Sequence, residues 1–213
     1  MGEESTLKLF LASSNGGKLR EFRELAEESA ATVTGFEITA LPDFSEFPSY
    51  EETASTFAEN AAGKALHYSR FTPELVLADD SGLVVPALGG APGVLSARYA
   101  GPDATDADRV AKLLGEMKAM TGDARRAYFV CVIVVARHGR AVAVVSDAAH
   151  GFIAQAPAGG GGFGYDPVFT FPELGRTYAE ASQNEKNRLS HRGKAFRKTM
   201  YVLSTTNAVT FVR

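Results

Sequence analysis

The stretch AYFVCVIVVARHGRAVAVVSDA, residues 127–148, decides the fold class. Two apolar runs rich in valine flank the polar segment RHGR, residues 137–140, which is typical of two strands joined in a hairpin. Upstream, a short strand over residues 7–12 precedes a helix over residues 19–29, and a second strand is predicted near residues 33–41. Because hairpin strands occur beside strands suited to parallel pairing, we predict an α/β fold with a mixed β-sheet flanked by helices.

Further helices and strands follow the same periodic patterns. Apolar residues at helical spacing predict a helix over residues 57–68, and ELVLADDSGLVVPAL, residues 74–88, predicts a strand that runs into a glycine turn and resumes. A helix is expected over residues 107–120, with Asp103 or Asp106 as its cap. These elements place helices on both sides of the polar loops discussed below.

The last part of the chain carries a local start signal for a helix. SQNE, residues 182–185, has the spacing of a capping box. Ser190 then suits the N-cap of a final helix in which Phe196, Met200 and Leu203 face inward.

Composition excludes several classes of protein. The chain has 213 residues, 45% of them hydrophobic, and a formal net charge of -3, which argues against charge-driven binding to nucleic acid or to anionic lipid. Cys131 is the only cysteine and lies in an apolar run, which favours a buried inert thiol. No apolar run approaches the roughly 20 residues of a membrane helix, and the start lacks a signal-peptide pattern. We expect one soluble cytoplasmic domain over residues 1–213, with residues 1–6 as a flexible tail.

Two pairs of acids are the candidate metal ligands. Asp79 and Asp80 interrupt the apolar stretch LADDSGLVV. A buried carboxylate there is costly unless it is paired with another group or has a functional role. Glu51 and Glu52 precede the helix over residues 57–68, where either could merely compensate the helix dipole. Together the four carboxylates suit a magnesium ion that also binds substrate phosphates.

Three other segments could bind a nucleotide. SSNGGK, residues 13–18, joins a strand to a helix and could hold phosphate, or could be an ordinary turn, since its spacing is not that of a Walker A motif. GGGGFGYDP, residues 159–167, offers rings that could stack on a base, or is a surface loop. NEKNRLSHRGKAFRK, residues 184–198, is either a solvated basic face or an anion site. His191 has no nucleophile elbow beside it, so covalent catalysis is disfavoured.

Six motifs occur in one order across roughly residues 7 to 205: SSNGGK, EETASTFAENAAGKA, ADDSGL, LGGAPGVLSARYAG, GGFGYDPVF and SHRGKA. In this the sequence resembles the inosine triphosphate pyrophosphatase family. The resemblance implies two lobes around a central nucleotide cleft and a homodimer. It also implies magnesium-dependent hydrolysis of ITP, dITP and XTP to the monophosphate and pyrophosphate, with Mn²⁺ as a possible substitute.

The same resemblance assigns roles to residues. Asp80 would be the general base, and Glu52 and Asp80 would bind the metal, with Glu51 a weaker candidate. The expected substrate-binding residues are Ser13, Ser14, Asn15, Gly16, Gly17, Lys18, Lys64, Ser81, Phe163, Gly164, Tyr165, Asp166, Lys186, His191 and Arg192. The 6-oxo group of a deaminated purine would accept a hydrogen bond from Arg192 or from a backbone N–H, whereas the 6-amino group of adenine would meet that donor with another donor.

Two departures and three alternatives remain open at this point. SSNGG has serine where many family members carry threonine, and VVSDAAHGFIAQAPAG, residues 144–159, matches the family loosely. A pyrophosphatase for modified pyrimidines or methylated nucleotides is one alternative. A phosphatase of the haloacid dehalogenase type is another, although its second aspartate would fall at Ser81. A nucleotide-sensing or RNA-binding module is the third, disfavoured by the clustered acids.

Overall fold

The computed structural model describes residues 7–29 and 36–205. Its strands are β1 (Leu7–Leu11), β2 (Phe36–Ala40), β3 (Leu75–Val84), β4 (Arg126–Arg137), β5 (Arg140–Ile153), β6 (Phe169–Phe171) and β7 (Arg176–Thr177). Its α-helices are α1 (Gly16–Ser29), α2 (Phe57–Tyr68), α3 (Asp106–Glu116), α4 (Gln183–Leu189) and α5 (His191–Thr205). Short 3-10 helices lie at Phe44–Glu46, Pro86–Leu88, Gly93–Arg98 and Gly122–Arg125.

The strands form one mixed sheet in the order β2-β1-β3-β4-β5-β6-β7. β1 pairs in parallel with β2 and β3, whereas β6 pairs antiparallel with both β5 and β7. β4 and β5 are neighbours joined by two residues, His138 and Gly139, both with positive φ, so the predicted hairpin is confirmed. The predicted α/β class with a mixed sheet and flanking helices is also confirmed.

The chain divides into two compact units. Within the described residues, unit 1 takes the chain up to Asp80, Cys131–Asp147 and the chain from Gly193 onward, and unit 2 takes Ser81–Val130 and Ala148–Arg192. The boundary thus falls between two consecutive residues of β3. The single-domain interpretation and the nucleotide cleft stay predictions.

Unit 1 has buried clusters built from the sheet and its helices. Phe22 of α1 meets Phe196 of α5 edge to face, with ring centroids 5.8 Å apart. Met200 and Leu203 are buried in the same cluster, which confirms the inward face predicted for the last helix. A second cluster packs α2 through its apolar face, with Ala61, Ala65 and Tyr68 buried and Phe57 partly buried. Cys131 is fully buried, as expected.

Unit 2 has its own core around an aromatic group. Phe129, Phe169 and Tyr178 pack together with α3 and the start of the loop that follows β3. Arg125 is buried beside this core and donates hydrogen bonds to four backbone carbonyls, those of Met117, Met120, Ile153 and Ala154. Those bonds tie the end of α3 to the end of β5.

Of the predicted helix starts, one is confirmed and two differ in detail. The capping box of SQNE is present, since Ser182 accepts from Glu185 N–H and the Glu185 carboxylate accepts from Ser182 N–H. α3 is capped by Thr105, not by Asp103 or Asp106, because Asp108 completes a capping box with the threonine. α1 begins at Gly16, inside the SSNGGK motif, rather than at Leu19.

The predicted glycine turn within residues 74–88 is wrong. β3 continues without a break through Gly82. Strand residues before and after this glycine are buried, and the extended chain is needed to bury them. The turn comes later, at Pro86–Leu88 followed by Gly89 with φ +64°. Residues 33–35 of the predicted second strand and residues 1–6 of the predicted tail lie outside the described residues. No helix in the described part of the chain is long and apolar enough to span a membrane.

Candidate active site

Asp79 and Asp80 occupy the end of the unit 1 part of β3, where successive side chains leave on opposite faces. Asp79 is 1% exposed, and its Oδ2 forms a 2.9 Å ion pair with Lys18 Nζ from α1. Cys131 Sγ lies 4.0 Å from the same oxygen. Asp80 is 6% exposed and accepts a 3.1 Å hydrogen bond from Asn60 Nδ2 of α2. The two acids therefore have different partners on different helices.

Asn60 is a site residue that sequence reasoning missed. It is 1% exposed and also binds the backbone of Ala54, accepting from the N–H at 3.0 Å and donating to the carbonyl at 3.4 Å. These two hydrogen bonds to the backbone fix the orientation of the Asn60 amide, so Asn60 Nδ2 holds Asp80 in one orientation. A buried asparagine beside the apolar face of α2 was the available signal.

Glu52 and Lys64 complete the charged cluster of unit 1. The two form an ion pair, and Lys64 is buried on α2. Burial opposes the charge on Lys64, yet nearby carboxylates, led by Asp79 and Glu52, raise the pKa of its ammonium. Glu51 is exposed, and its backbone carbonyl accepts from Thr53 N–H.

Asp80 has the chemistry of a strengthened base. Burial raises the pKa of its carboxyl; Lys18 lowers it, and the negative charge of Glu52 raises it again. The charges of Glu52, Lys18 and Lys64 thus all act on Asp80, and the roles of these residues toward metal and substrate stay predictions.

The carboxylates of this cluster fit a magnesium ion that is shared with a substrate. Across residues 7–29 and 36–205, no three His, Cys, Asp or Glu side chains are grouped to hold a metal ion by themselves. Magnesium usually takes one or two protein carboxylates and completes its shell with phosphate oxygens and water. Glu52 and Asp80 supply that number of carboxylates.

The SSNGGK motif forms the N-terminus of α1. Asn15 Oδ1 accepts from Lys18 N–H at 3.0 Å, and Ser13 Oγ accepts from Asn15 N–H at 3.2 Å. Ser14, Asn15 and Gly16 are exposed. A helix start with exposed small residues suits an anion, since its N–H groups point outward and the helix dipole is positive there. The phosphate role of residues 13–18 stays a prediction.

In unit 2, Asp166 organises the glycine-rich loop. Its Oδ2 accepts a 2.8 Å bond from Phe163 N–H and forms a 2.5 Å ion pair with Lys186 Nζ, and both charged groups are buried. A Cβ on Gly162 would lie 2.0 Å from that oxygen, so the close approach requires glycine. The loop is folded over a buried ion pair.

Phe163 lies close to two cations. Lys186 Nζ is 5.0 Å and the guanidinium carbon of Arg192 is 5.8 Å from the ring centroid. Both distances are within the range of cation–π attraction. Arg192 Nη2 also donates to Ser81 Oγ at 2.8 Å. The predicted residues Ser81, Phe163, Lys186 and Arg192 therefore belong to one cluster.

His191 is supported by a ring that the sequence analysis did not assign to the site. Phe129 stacks on His191 with ring centroids 4.7 Å apart and planes 9° apart, and Tyr178 lies stacked against Phe129 at 5.9 Å. Phe129 sits in a strand whose apolar run predicted only core, and its partner lies far along the chain. Its contact with His191 therefore had no local signal.

Tyr165 differs from Phe163 in its surroundings. Tyr165 is buried in the core of unit 2, and its hydroxyl donates to the backbone carbonyl of Ser96 at 2.9 Å. The structure gives this ring a packing role, while its stacking on a base stays a prediction. Gly164, between the two rings, has φ +64°, which glycine adopts without strain.

Comparison with known proteins gives a consistent answer. The family model described as Ham1 family matches residues 9–202. A dITP/XTP pyrophosphatase of Geobacillus kaustophilus is 51% identical over 191 residues, covering 90% of this chain and 91% of the relative. One of Desulforamulus reducens is 44% identical over 198 residues, covering 93% and 96%.

A solved structure agrees with these sequence relatives. The structure of a HAM1 protein from Coxiella burnetii has a TM-score of 0.82 and 42% identity, and the match covers 94% of this chain and 100% of that one. The resemblance drawn from the six motifs is thereby confirmed. The chain belongs to the Ham1 family.

Proposed function

We propose that this protein hydrolyses deaminated purine nucleoside triphosphates, namely ITP, dITP and XTP, to the monophosphate and pyrophosphate. The activity removes these nucleotides before they enter DNA and RNA. The relatives named dITP/XTP pyrophosphatase support this substrate class. The observation that carries the proposal is the buried Asp80 carboxylate within reach of the charges of Glu52, Lys18 and Lys64.

Asp80 acts as the general base. It takes a proton from water as the water oxygen bonds to the α-phosphorus and the bond from that phosphorus to the bridging oxygen breaks, so that pyrophosphate leaves. The hydrogen bond from Asn60 fixes the carboxylate, and its raised pKa strengthens its hold on the proton. Phosphoryl-type transfer needs positioning and charge neutralisation more than covalent help, and Lys18 and Lys64 supply positive charge.

Glu52 and Asp80 would hold Mg²⁺, for which Mn²⁺ could substitute, and Glu51 is the weaker third candidate. When bound, the ion neutralises phosphate charge and lowers the pKa of a coordinated water. Lys64 neutralises Glu52 through its ion pair, so the carboxylate that would bind the metal is already oriented by this lysine.

The unit 2 cluster reads the base. Phe163 offers a ring face to the purine. The charged N–H groups of Lys186 and Arg192 lie beside that ring and can donate to a 6-oxo acceptor. A guanidinium carries five N–H donors, of which the bond to Ser81 uses one. Adenine presents a donor at position 6 and meets a donor there, which disfavours ATP.

The protein acts in the cytoplasm as a homodimer that binds its nucleotide substrate and neither nucleic acid nor membrane. The formal net charge of -3 supports the absence of charge-driven polyanion binding. Light scattering on the purified protein measures the oligomeric state, and a monomeric mass at micromolar concentration would contradict the dimer.

The decisive experiment compares ITP, XTP, ATP and GTP with magnesium present, with pyrophosphate and orthophosphate measured separately. The proposal expects pyrophosphate from ITP and XTP, at a kcat/KM well above that for ATP and GTP. Orthophosphate as the only product overturns it. Preference for modified pyrimidine or methylated nucleotides assigns a different substrate class, and tight binding of ITP without turnover indicates a sensing module.

A further inference from the structure

Asp106 has a role other than the helix capping expected of it. Thr105 and Asp108 form the capping box of α3, while the Asp106 carboxylate leaves the helix start and accepts a 2.7 Å hydrogen bond from Gly164 N–H. Gly164 lies 58 residues away, at the centre of the glycine-rich loop, directly after Phe163. A bond from a backbone amide to a carboxylate is charge-assisted and stronger than a neutral one.

Arg109 fixes the orientation of Asp106. Its guanidinium pairs with the Asp106 carboxylate, and its Nη1 donates to the backbone carbonyls of Ala97 at 2.8 Å and Ala104 at 2.6 Å. The arginine side chain is 17% exposed and the Asp106 side chain is 46% exposed, so the arginine is the better shielded partner of this pair. The carboxylate that receives Gly164 N–H is therefore held from both the helix and the segment before it.

The next loop residue is attached to the same segment. Tyr165 Oη donates to Ser96 O at 2.9 Å, and Ser96 Oγ in turn donates to Gly93 O at 2.6 Å and accepts from Leu83 N–H at 2.9 Å. Burial raises the pKa of the Tyr165 hydroxyl far above its ordinary range, so the hydroxyl keeps its proton and remains a donor. Consecutive loop residues are thus bound to one support.

A loop so rich in glycine needs such support. Gly159, Gly162 and Gly164 have positive φ, and glycine loses more conformational entropy on ordering than other residues. Without the support, nucleotide binding would have to order the loop, and the apparent affinity would fall accordingly. Phe163 is the ring most directly held by this support, because its neighbour Gly164 donates the hydrogen bond to Asp106.

We propose that Asp106 is a positioning residue for nucleotide binding, which acts through Gly164 by holding the Phe163 loop in its binding conformation. This inference rests on the proposed function for its kinetic consequence, but the order of the loop is measurable without any substrate. LGGAPGVLSARYAG, residues 88–101, then has a place in the site as part of the support.

The test compares Asp106→Ala with Asp108→Ala, two acids of the same helical turn. Hydrogen exchange by NMR should show the Gly164 amide exchanging about tenfold faster or more in Asp106→Ala, because a charge-assisted bond is lost. The KM for ITP should rise about three- to tenfold with kcat within about twofold, since the loop must be ordered on binding. Asp108→Ala should lower the melting temperature and leave both readouts at wild-type values. Asp106→Asn keeps an acceptor oxygen and should restore most of the protection.

Unchanged exchange at Gly164 in Asp106→Ala overturns the proposed attachment. Faster exchange with an unchanged KM overturns the positioning role, because the loop would then be ordered at no cost to binding. If Asp106→Ala does not fold, Arg109→Met removes the group that orients the Asp106 carboxylate, and wild-type exchange at Gly164 in that variant counts against the proposal. Failure of the wild-type protein to turn over ITP refutes the proposed function, and the attachment is then judged by exchange alone.

Discussion

The charged clusters of the two units use similar residues in different ways. In unit 1, Lys18 pairs with Asp79 and Lys64 pairs with Glu52, so cations and carboxylates neutralise each other. In unit 2, Lys186 pairs with Asp166 but also lies over the ring of Phe163. Phosphates and metal ions demand charge balance, whereas a purine also demands a flat apolar face. Under the proposed function, the first cluster therefore suits phosphate and metal charge, and the second suits a purine ring.

The largest loss of activity in the unit 1 cluster is expected for substitution of Asp80. Asp80→Asn should lower kcat for ITP by about 10²–10⁴, the range for loss of a general base. Because burial raises the pKa of Asp80, its charge is costly in the folded state, and the neutral variant should melt at or above the wild-type temperature. Turnover at the wild-type rate would remove Asp80 from catalysis.

Asp79→Asn should show the opposite pattern. This acid is the buried partner of Lys18, and breaking a buried pair leaves a charge without full compensation. We expect a loss of about 3 kcal/mol, the low end for such pairs because the lysine keeps some exposure. Thermal unfolding measures it, and kcat per folded molecule should fall far less than in Asp80→Asn. Equal losses of activity in both variants would end the division of roles between the two aspartates.

The contrast between these neighbours marks what the sequence could and could not predict. The family resemblance assigned the catalytic role to Asp80 rather than to Asp79, and the predicted capping box at Ser182 is confirmed because its partner lies three residues away. The partners of the acids lie far along the chain, Lys18 for one and Asn60 for the other, and only folding brings them together. For the same reason Asp106 was interpreted as a cap although it binds Gly164.

Motifs, and not periodicity, supplied the candidate site residues. The six segments in order placed Glu52, Asp80, Phe163, Lys186 and Arg192 among the candidates, and the structure groups them within one or the other unit, while their roles stay predictions. Phe129 was missed because a phenylalanine in an apolar strand is normally core, and nothing nearby in sequence indicates a stacked histidine. The continuous course of β3 through Gly82 was missed because burial on both faces is not visible locally.

Removing the Phe163 ring in unit 2 should weaken nucleotide binding without changing the magnesium requirement. Phe163→Leu keeps the side chain apolar but loses the flat face, and stacking on an aromatic is worth about 1–3 kcal/mol per base, or about 5- to 150-fold in KM for ITP. The magnesium concentration for half activity should stay constant. Phe152→Leu is the matched control, because Arg126 lies 5.5 Å from that ring elsewhere in unit 2. An unchanged KM in Phe163→Leu would deny the base-reading role.

The smallest expected effect compares a glycine from each unit. In unit 1, a Cβ on Gly63 of α2 would lie 1.8 Å from the Tyr50 hydroxyl, so the tyrosine must move in Gly63→Ala. Tyr50 directly precedes Glu51 and Glu52, so its displacement should raise the magnesium requirement severalfold and cost about 1–3 kcal/mol of stability by overpacking. Gly115 of α3 in unit 2 has nothing within 4 Å of its Cβ position, so Gly115→Ala should instead stabilise by up to about 1 kcal/mol through helix propensity. Magnesium titration and thermal unfolding of both variants measure the difference. Equal magnesium requirements would show that the packing of Tyr50 does not position the glutamates.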